Sequence, residues 1–168
     1  MAATARKPKF ILDTNVLIDL GEGKPFAHTF KDGYAKHGLA VPPTVIQELC
    51  AIGFSNTHPA SDFALVALSQ MRGWQILPYD LTGVGHGITE LDAKKLIERG
   101  LLPEDELNDG LILIETALAG IPSLVTSDRH LLDIDRIKLG NALADFDLPL
   151  VQIVNPKDLL RAIAPPGR

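Results

Sequence analysis

Short apolar runs recur along the chain, each closed by polar or proline-bearing residues and followed by a stretch of helix-like length. They fall at 9–12, at 39–41 ahead of Pro42-Pro43, at 74–77, at 124–126, and at 150–154 ahead of Asn155-Pro156. Parallel neighbours in a sheet need a long crossover between them, and helices supply it. The alternation therefore predicts an α/β fold with about five strands in a mostly parallel sheet. With 168 residues, 46% of them hydrophobic, the chain can cover both faces of such a sheet with one core. A single domain over 1–168 is expected, its core spanning about 9–160, with the first eight residues and Ala164-Pro-Pro-Gly-Arg168 as frayed ends.

Composition narrows the setting. Cys50 is the only cysteine, so no internal disulfide forms and a reducing cytoplasm is the expected compartment. No run of about 18 apolar residues is present, which argues against a membrane span, and the first nine residues lack the apolar centre of a signal peptide. The net charge of −5 gives no general attraction to nucleic acid. A cation bound among acidic side chains would reverse that locally.

Helix punctuation is clearest in the second half. Thr89 with Asp92 three residues later forms a capping-box pattern, and Gly100 sits where a closing glycine belongs. Pro103 and the acidic Glu104, Asp105 and Glu106 suit the first turn of the next helix, which Gly120 closes. Thr44 with Gln47 gives a second capping-box pattern, after the second strand.

Within this frame four carboxylates stand in mainly apolar segments: Asp13, Glu48, Asp109 and Asp128. Burying an unpaired charge costs several kcal/mol or more. Asp13 follows Phe10-Ile-Leu12 at the carboxyl end of the first strand, the rim where open α/β sheets bind ligands. Asp128 ends Ser123-Leu-Val-Thr-Ser-Asp128 at the equivalent point of another strand. Both also suit a helix N-cap. Glu48 falls about one turn into the helix after the second strand, and a solvated helix glutamate is its plain alternative.

Asp109 departs furthest from an ordinary pattern. Leu107, Leu111, Ile114 and Leu118 share one helical stripe, read as the core face; Glu104, Asn108 and Glu115 share another, read as the solvent face. At about 100° per residue, Asp109 instead groups with Ile112, Leu113 and Thr116. Four carboxylates on one rim of one sheet point to a divalent cation, and all-oxygen ligation selects Mg²⁺ or Mn²⁺. Such ions organise phosphodiester hydrolysis. Asn15, Thr126 and Ser127 would orient the acids, and Arg129, Arg136 and Lys138 are candidates to receive nucleic-acid phosphates or to form a solvated face.

Four segments then carry a resemblance: Phe10-Ile-Leu-Asp-Thr-Asn-Val-Leu-Ile18, Pro43-Thr-Val-Ile-Gln-Glu-Leu49, Asn108-Asp-Gly-Leu-Ile-Leu-Ile-Glu-Thr-Ala-Leu-Ala-Gly120 and Val125-Thr-Ser-Asp-Arg-His-Leu131. In this order they resemble the PIN domain, over about 9–160. The resemblance implies a three-layer α/β/α arrangement and a metal-dependent nuclease site. Asp13, Glu48, Asp109 and Asp128 match the family's acidic positions, and Asn15 and Thr126 its supporting polar ones. Many bacterial and archaeal relatives are VapC toxins of VapBC toxin–antitoxin pairs, which cleave RNA, form homodimers and are silenced by an antitoxin segment over the site. Two departures are the extended stretch at 79–103 and Gly110, where relatives often carry alanine.

Other chemistries fit less well. Gly83-Val-Gly-His-Gly87 lacks the dinucleotide-binding spacing and reads as a loop, and Gly21-Glu-Gly-Lys24 is too short for a phosphate loop. The histidines lack metal-ligand spacing, with only His130 expected near the site, and Cys50 reads as core rather than nucleophile. The expected function is an Mg²⁺- or Mn²⁺-dependent endoribonuclease acting as a toxin. The alternatives are a solitary PIN nuclease without antitoxin, a nuclease acting on DNA, and a non-catalytic module binding nucleic acid or protein.

Overall fold

The computed structural model describes residues 7–163; the frayed ends expected at 1–6 and 164–168 lie outside the described residues. Five strands form one parallel sheet: β1 (Phe10–Leu12), β2 (Leu39–Val41), β3 (Ile76–Pro78), β4 (Ser123–Val125) and β5 (Gln152–Val154). Their spatial order is β3-β2-β1-β4-β5. The chain starts at the centre, builds outward through β2 and β3, and crosses back to add β4 and β5 on the other side. The strand order thus reverses between β1 and β4, which creates a crevice outside their carboxyl ends, where open α/β sheets take ligands.

Helices cover the sheet in a three-layer α/β/α arrangement. α1 (Thr14–Glu22) and α2 (Pro25–Tyr34), then a 3₁₀ turn (Ala35–His37), lead from β1 to β2, and α3 (Pro43–Gly53) and α4 (Ser61–Gln70) lead on to β3. α5 (Gly83–Glu98) and α6 (Leu107–Leu118) return to β4, α7 (Arg129–Leu132) and α8 (Arg136–Asp145) connect it to β5, and α9 (Pro156–Ile163) follows. Ile11, Leu12, Leu39, Ala40, Val41, Leu124 and Val125 are buried, so the three central strands read as continuous apolar runs.

Two close approaches set the helix packing. A Cβ on Gly21 of α1 would lie 2.0 Å from the Phe63 carbonyl oxygen of α4, so only glycine allows that contact. A Cβ on Gly110 would meet Ala93 of α5 at 3.2 Å, which explains the smallest residue beside Asp109. Gly100 and Gly120 close α5 and α6 in the left-handed conformation, with φ of +70° and +63°, as their positions predict.

Several local expectations are corrected. α5 begins at Gly83, not near Thr89, because Thr82 caps it and accepts the Gly85 N–H at 3.2 Å. The glycine-bearing segment at 83–87 is therefore helix and not loop, and most of the extended stretch at 79–103 is α5. Thr89 donates to the Gly85 carbonyl from inside the helix, and Asp92 pairs with Lys95 at 3.0 Å. The Pro103–Glu106 stretch precedes α6 as a turn closed by Glu106 N–H on the Pro103 carbonyl.

The wheel of α6 also reads differently in the fold. Glu115 is buried, not on a solvent face, and the expected core stripe is buried fully only at Ile114. The fully buried arc is Ile112, Leu113 and Thr116, the one that carries Asp109. The physical reason is that α6 packs against both α5 and α3, so more than one of its faces is interior. Thr44 does not cap its own helix either. Its N–H and Oγ1 donate to the Glu115 carboxylate at 3.2 and 2.8 Å, which therefore closes the start of α3 from a different helix.

Candidate metal-binding site

The turns leaving β1 and β4 position the first two acids. Asp13 directly follows β1 and Asp128 lies three residues past the end of β4; both have extended backbone and open a helix, Asp13 before α1 and Asp128 before α7. Asp13 Oδ1 accepts the Thr14 N–H at 2.7 Å, and Asp128 Oδ1 accepts the His130 N–H at 2.7 Å. The N-cap reading is thus realised at both residues.

Thr126 joins the two strands. Its hydroxyl donates to Asp13 Oδ2 at 2.6 Å and accepts the Asp128 N–H at 2.9 Å. The Asn15 amide donates to Asp13 Oδ2 at 2.7 Å and to Thr126 Oγ1 at 3.1 Å, while its oxygen accepts the Ser127 N–H at 3.0 Å. Ser127 therefore enters through its backbone. Asp13 is 2% exposed, and burial lifts its pKa to about 6 against the pull of the Thr126 and Thr14 bonds, with Glu48 and Asp128 adding repulsion.

The other two acids arrive on helices. Glu48, on α3, accepts the Asn108 amide on Oε1 at 2.8 Å and the Thr14 hydroxyl on Oε2. Asp109, near the start of α6, is the least satisfied group: its Oδ2 is shut off from solvent and has no hydrogen-bond partner. Burial is the largest cause that lifts its pKa to about 8, followed by the charges of Asp13, Asp128, Glu106 and Glu48. The structure thus brings all four sequence-predicted acids within electrostatic reach of one another.

Sequence reasoning missed Thr14, Asn108 and Glu106. Asn108 and Glu106 lay in segments assigned to a solvent face and to the helix dipole. Glu106 Oε1 lies 2.9 Å from His130 Nδ1, and Glu106, Asp109 and His130 each present a ligand atom within 4.8 Å of the other two. Arg129, Arg136 and Lys138 are exposed on α7 and α8. Cys50 is only partly buried on α3.

The donor set fits a hard divalent cation. Asp13, Glu48 and Asp128 lie within electrostatic reach of Asp109, but among the described residues only Glu106, Asp109 and His130 are spaced as a ligand group of three. No lysine or arginine among the described residues forms an ion pair with any of these acids, and His130 alone does. A family model described as PIN domain matches residues 10–137. The chain belongs to the PIN domain family.

Solved structures with this PIN fold include VapBC2 from Rickettsia felis bound to a promoter DNA fragment, at 18% identity and a TM-score of 0.58, covering 87% of this chain and 97% of that one. DNA-bound VapBC from Salmonella typhimurium matches at 19% identity and a TM-score of 0.54, covering 89% and 98%. VapBC-1 from nontypeable Haemophilus influenzae matches at 16% identity and a TM-score of 0.54, covering 88% and 98%. At these identities the likeness concerns the fold. No curated protein matches the sequence of the chain. Among the described residues of this PIN domain, no helix is long and apolar enough to cross a membrane.

Proposed function

We propose that this protein is an Mg²⁺- or Mn²⁺-dependent endoribonuclease, the toxin of a toxin–antitoxin pair. The observation that carries the reading is the buried, unpartnered Asp109 Oδ2 facing other carboxylates. A buried carboxylate among like charges is relieved by keeping its proton or by a bound cation, and at a rim this rich in carboxylates we read the cation. Asp13, Glu48, Asp109 and Asp128 would hold the ion. When bound, a divalent cation lowers the pKa of water and stabilises the charge of a phosphodiester under in-line attack.

The chain's own residues supply geometry. Thr126 and Asn15 fix the Asp13 carboxylate, and through the backbone they fix the start of α7 as well. Thr14 and Asn108 hold Glu48 from two sides. Arg129, Arg136 and Lys138 are exposed and form no ion pair among the described residues, which leaves them free for RNA phosphates. The VapBC assemblies with the same fold support an antitoxin as protein partner; that the free toxin is a cytoplasmic homodimer is part of the proposal.

The test incubates the full chain and its Asp13→Asn variant with single-stranded RNA, structured RNA and DNA, each with Mg²⁺, Mn²⁺ or EDTA. Cleavage of RNA by the wild type alone, abolished by EDTA, is the expected result. Cleavage of DNA in preference to RNA would reassign the substrate. No cleavage of any substrate by folded protein, with RNA bound and left intact, would replace the nuclease by a binding module.

A further inference from the structure

We infer that Glu106, Asp109 and His130 form a cation position of their own beside the four-acid set, sharing Asp109 with it, and that this position takes a transition-metal dication such as Mn²⁺ in preference to Mg²⁺. The inference rests on the reading of Asp109 as a metal ligand and extends it to two residues outside that set.

The placement follows from the fold. Glu106 is the residue just before α6 and lies three positions ahead of Asp109, so both carboxylates project along one side of the helix start. His130 is in the first turn of α7, held there by its own N–H on Asp128 Oδ1 at 2.7 Å. Its Nδ1 faces Glu106 Oε1 at 2.9 Å and Asp128 Oδ1 at 3.8 Å. The three ligand atoms lie within 4.8 Å of one another. Bonds of about 2.0–2.2 Å to one ion put its ligands roughly 3–4.4 Å apart, so the triad closes on a cation with small side-chain adjustments.

A plain ion pair between Glu106 and His130 does not account for the arrangement. An exposed pair of that kind is worth little, and it leaves Asp109 Oδ2 buried without a partner. A cation seated on the triad would instead offset the repulsion between the Glu106 and Asp109 carboxylates. The nitrogen donor then decides the preference. Mg²⁺ favours oxygen ligands and releases its waters reluctantly, whereas imidazole suits first-row transition metals.

The test strips the full chain with EDTA and titrates Mn²⁺ and Mg²⁺ separately by calorimetry, on wild type, His130→Gln, Glu106→Gln and Asp13→Asn. Pulsed electron paramagnetic resonance on the Mn²⁺-loaded protein reads nitrogen coupling directly. The expected wild-type spectrum carries a nitrogen coupling that His130→Gln removes. That variant and Glu106→Gln should weaken Mn²⁺ binding about tenfold or more while Mg²⁺ binding changes less than about threefold. His130 is half exposed, and the nitrogen signal is read on the wild type, so the outcome does not depend on a variant folding.

Wild type that binds Mn²⁺ without nitrogen coupling overturns the triad and leaves the nuclease reading standing if RNA is still cleaved. Nitrogen-coupled Mn²⁺ on a protein that cleaves no RNA supports the triad and removes the nuclease. Mn²⁺ affinity unchanged in both His130→Gln and Glu106→Gln overturns it as well.

Discussion

Replacing Asp109 with Asn should make the metal-free protein more stable at alkaline pH, although the residue is one of the proposed metal ligands. Burial and four neighbouring carboxylates hold its proton to about pH 8, while an unfolded aspartate loses it near pH 4. Between those limits the folded chain binds a proton that the unfolded chain does not, so stability falls as pH rises through the window. Asp13, lifted to about 6, adds a loss of the same sign in the lower half of it. Full expression of the Asp109 shift would be about 5 kcal/mol, and water at this partly open rim reduces it to about 2 kcal/mol. Asn keeps the shape and carries no charge, so Asp109→Asn should gain about 2 kcal/mol at pH 8 and little at pH 5. Urea denaturation in EDTA measures this, with Trp74, the only tryptophan, as the fluorescent reporter. Saturating Mn²⁺ should restore the wild type and do much less for the variant. An Asn variant no more stable than wild type at pH 8, or a wild-type stability flat from pH 5 to 8, would refute the account of strained like charges.

Three further outcomes are expected. Glu115→Ala leaves the buried N–H and hydroxyl of Thr44 without acceptors and should cost about 2 kcal/mol by urea denaturation; wild-type stability would show that Glu115 does not anchor α3. Gly21→Ala drives a Cβ to 2.0 Å from the Phe63 carbonyl oxygen and should cost about 3 kcal/mol because backbone must move, whereas an unchanged melting temperature would contradict the close α1–α4 contact. Replacing Arg129, Arg136 and Lys138 together with Ala should weaken binding of single-stranded RNA to the catalytically silent Asp13→Asn protein and reduce the salt-dependence slope by about 2, and an unchanged slope would return these residues to a solvated face.

The sheet was legible because its central strands are buried on both faces and so announce themselves as unbroken apolar runs. β1, β2 and β4 lie within a residue of their expected limits, whereas β3 and β5 each start two residues late, β3 after Gln75 adopts a φ of +58°. Asp13 and Asp128 were legible from position alone, since a strand's end is visible in sequence. Asp109 was legible from its apolar company. What failed was the assignment of outward faces. A wheel drawn on α6 supposes one interior side, but the helix packs against both α5 and α3. Glu115, read as solvent-facing, therefore serves Thr44 instead, whereas Asn108 is exposed as expected and still reaches Glu48. The start of α5 failed for another reason: three glycines within 83–87 outweighed Thr82 in a local reading, while the packing of Ala93 and Leu96 in the interior decides in favour of helix.

Helix capping and cation binding draw here on the same property of the fold. A parallel strand that turns into a helix needs an acceptor for the first free N–H groups, and Asp answers that need at both β1 and β4. Each cap uses one carboxylate oxygen on the backbone, so the side chain is fixed before any ion arrives. The reversal of strand order brings these two turns together, and the Thr126 hydroxyl ties one to the other. The helix N-termini and the hydroxyl partly offset the repulsion between Asp13 and Asp128. Asp109 receives no such help, for its Oδ2 has neither cap nor hydroxyl. The repulsion the fold leaves uncompensated is therefore concentrated on one oxygen, and a cation that approaches this rim gains most by meeting it there.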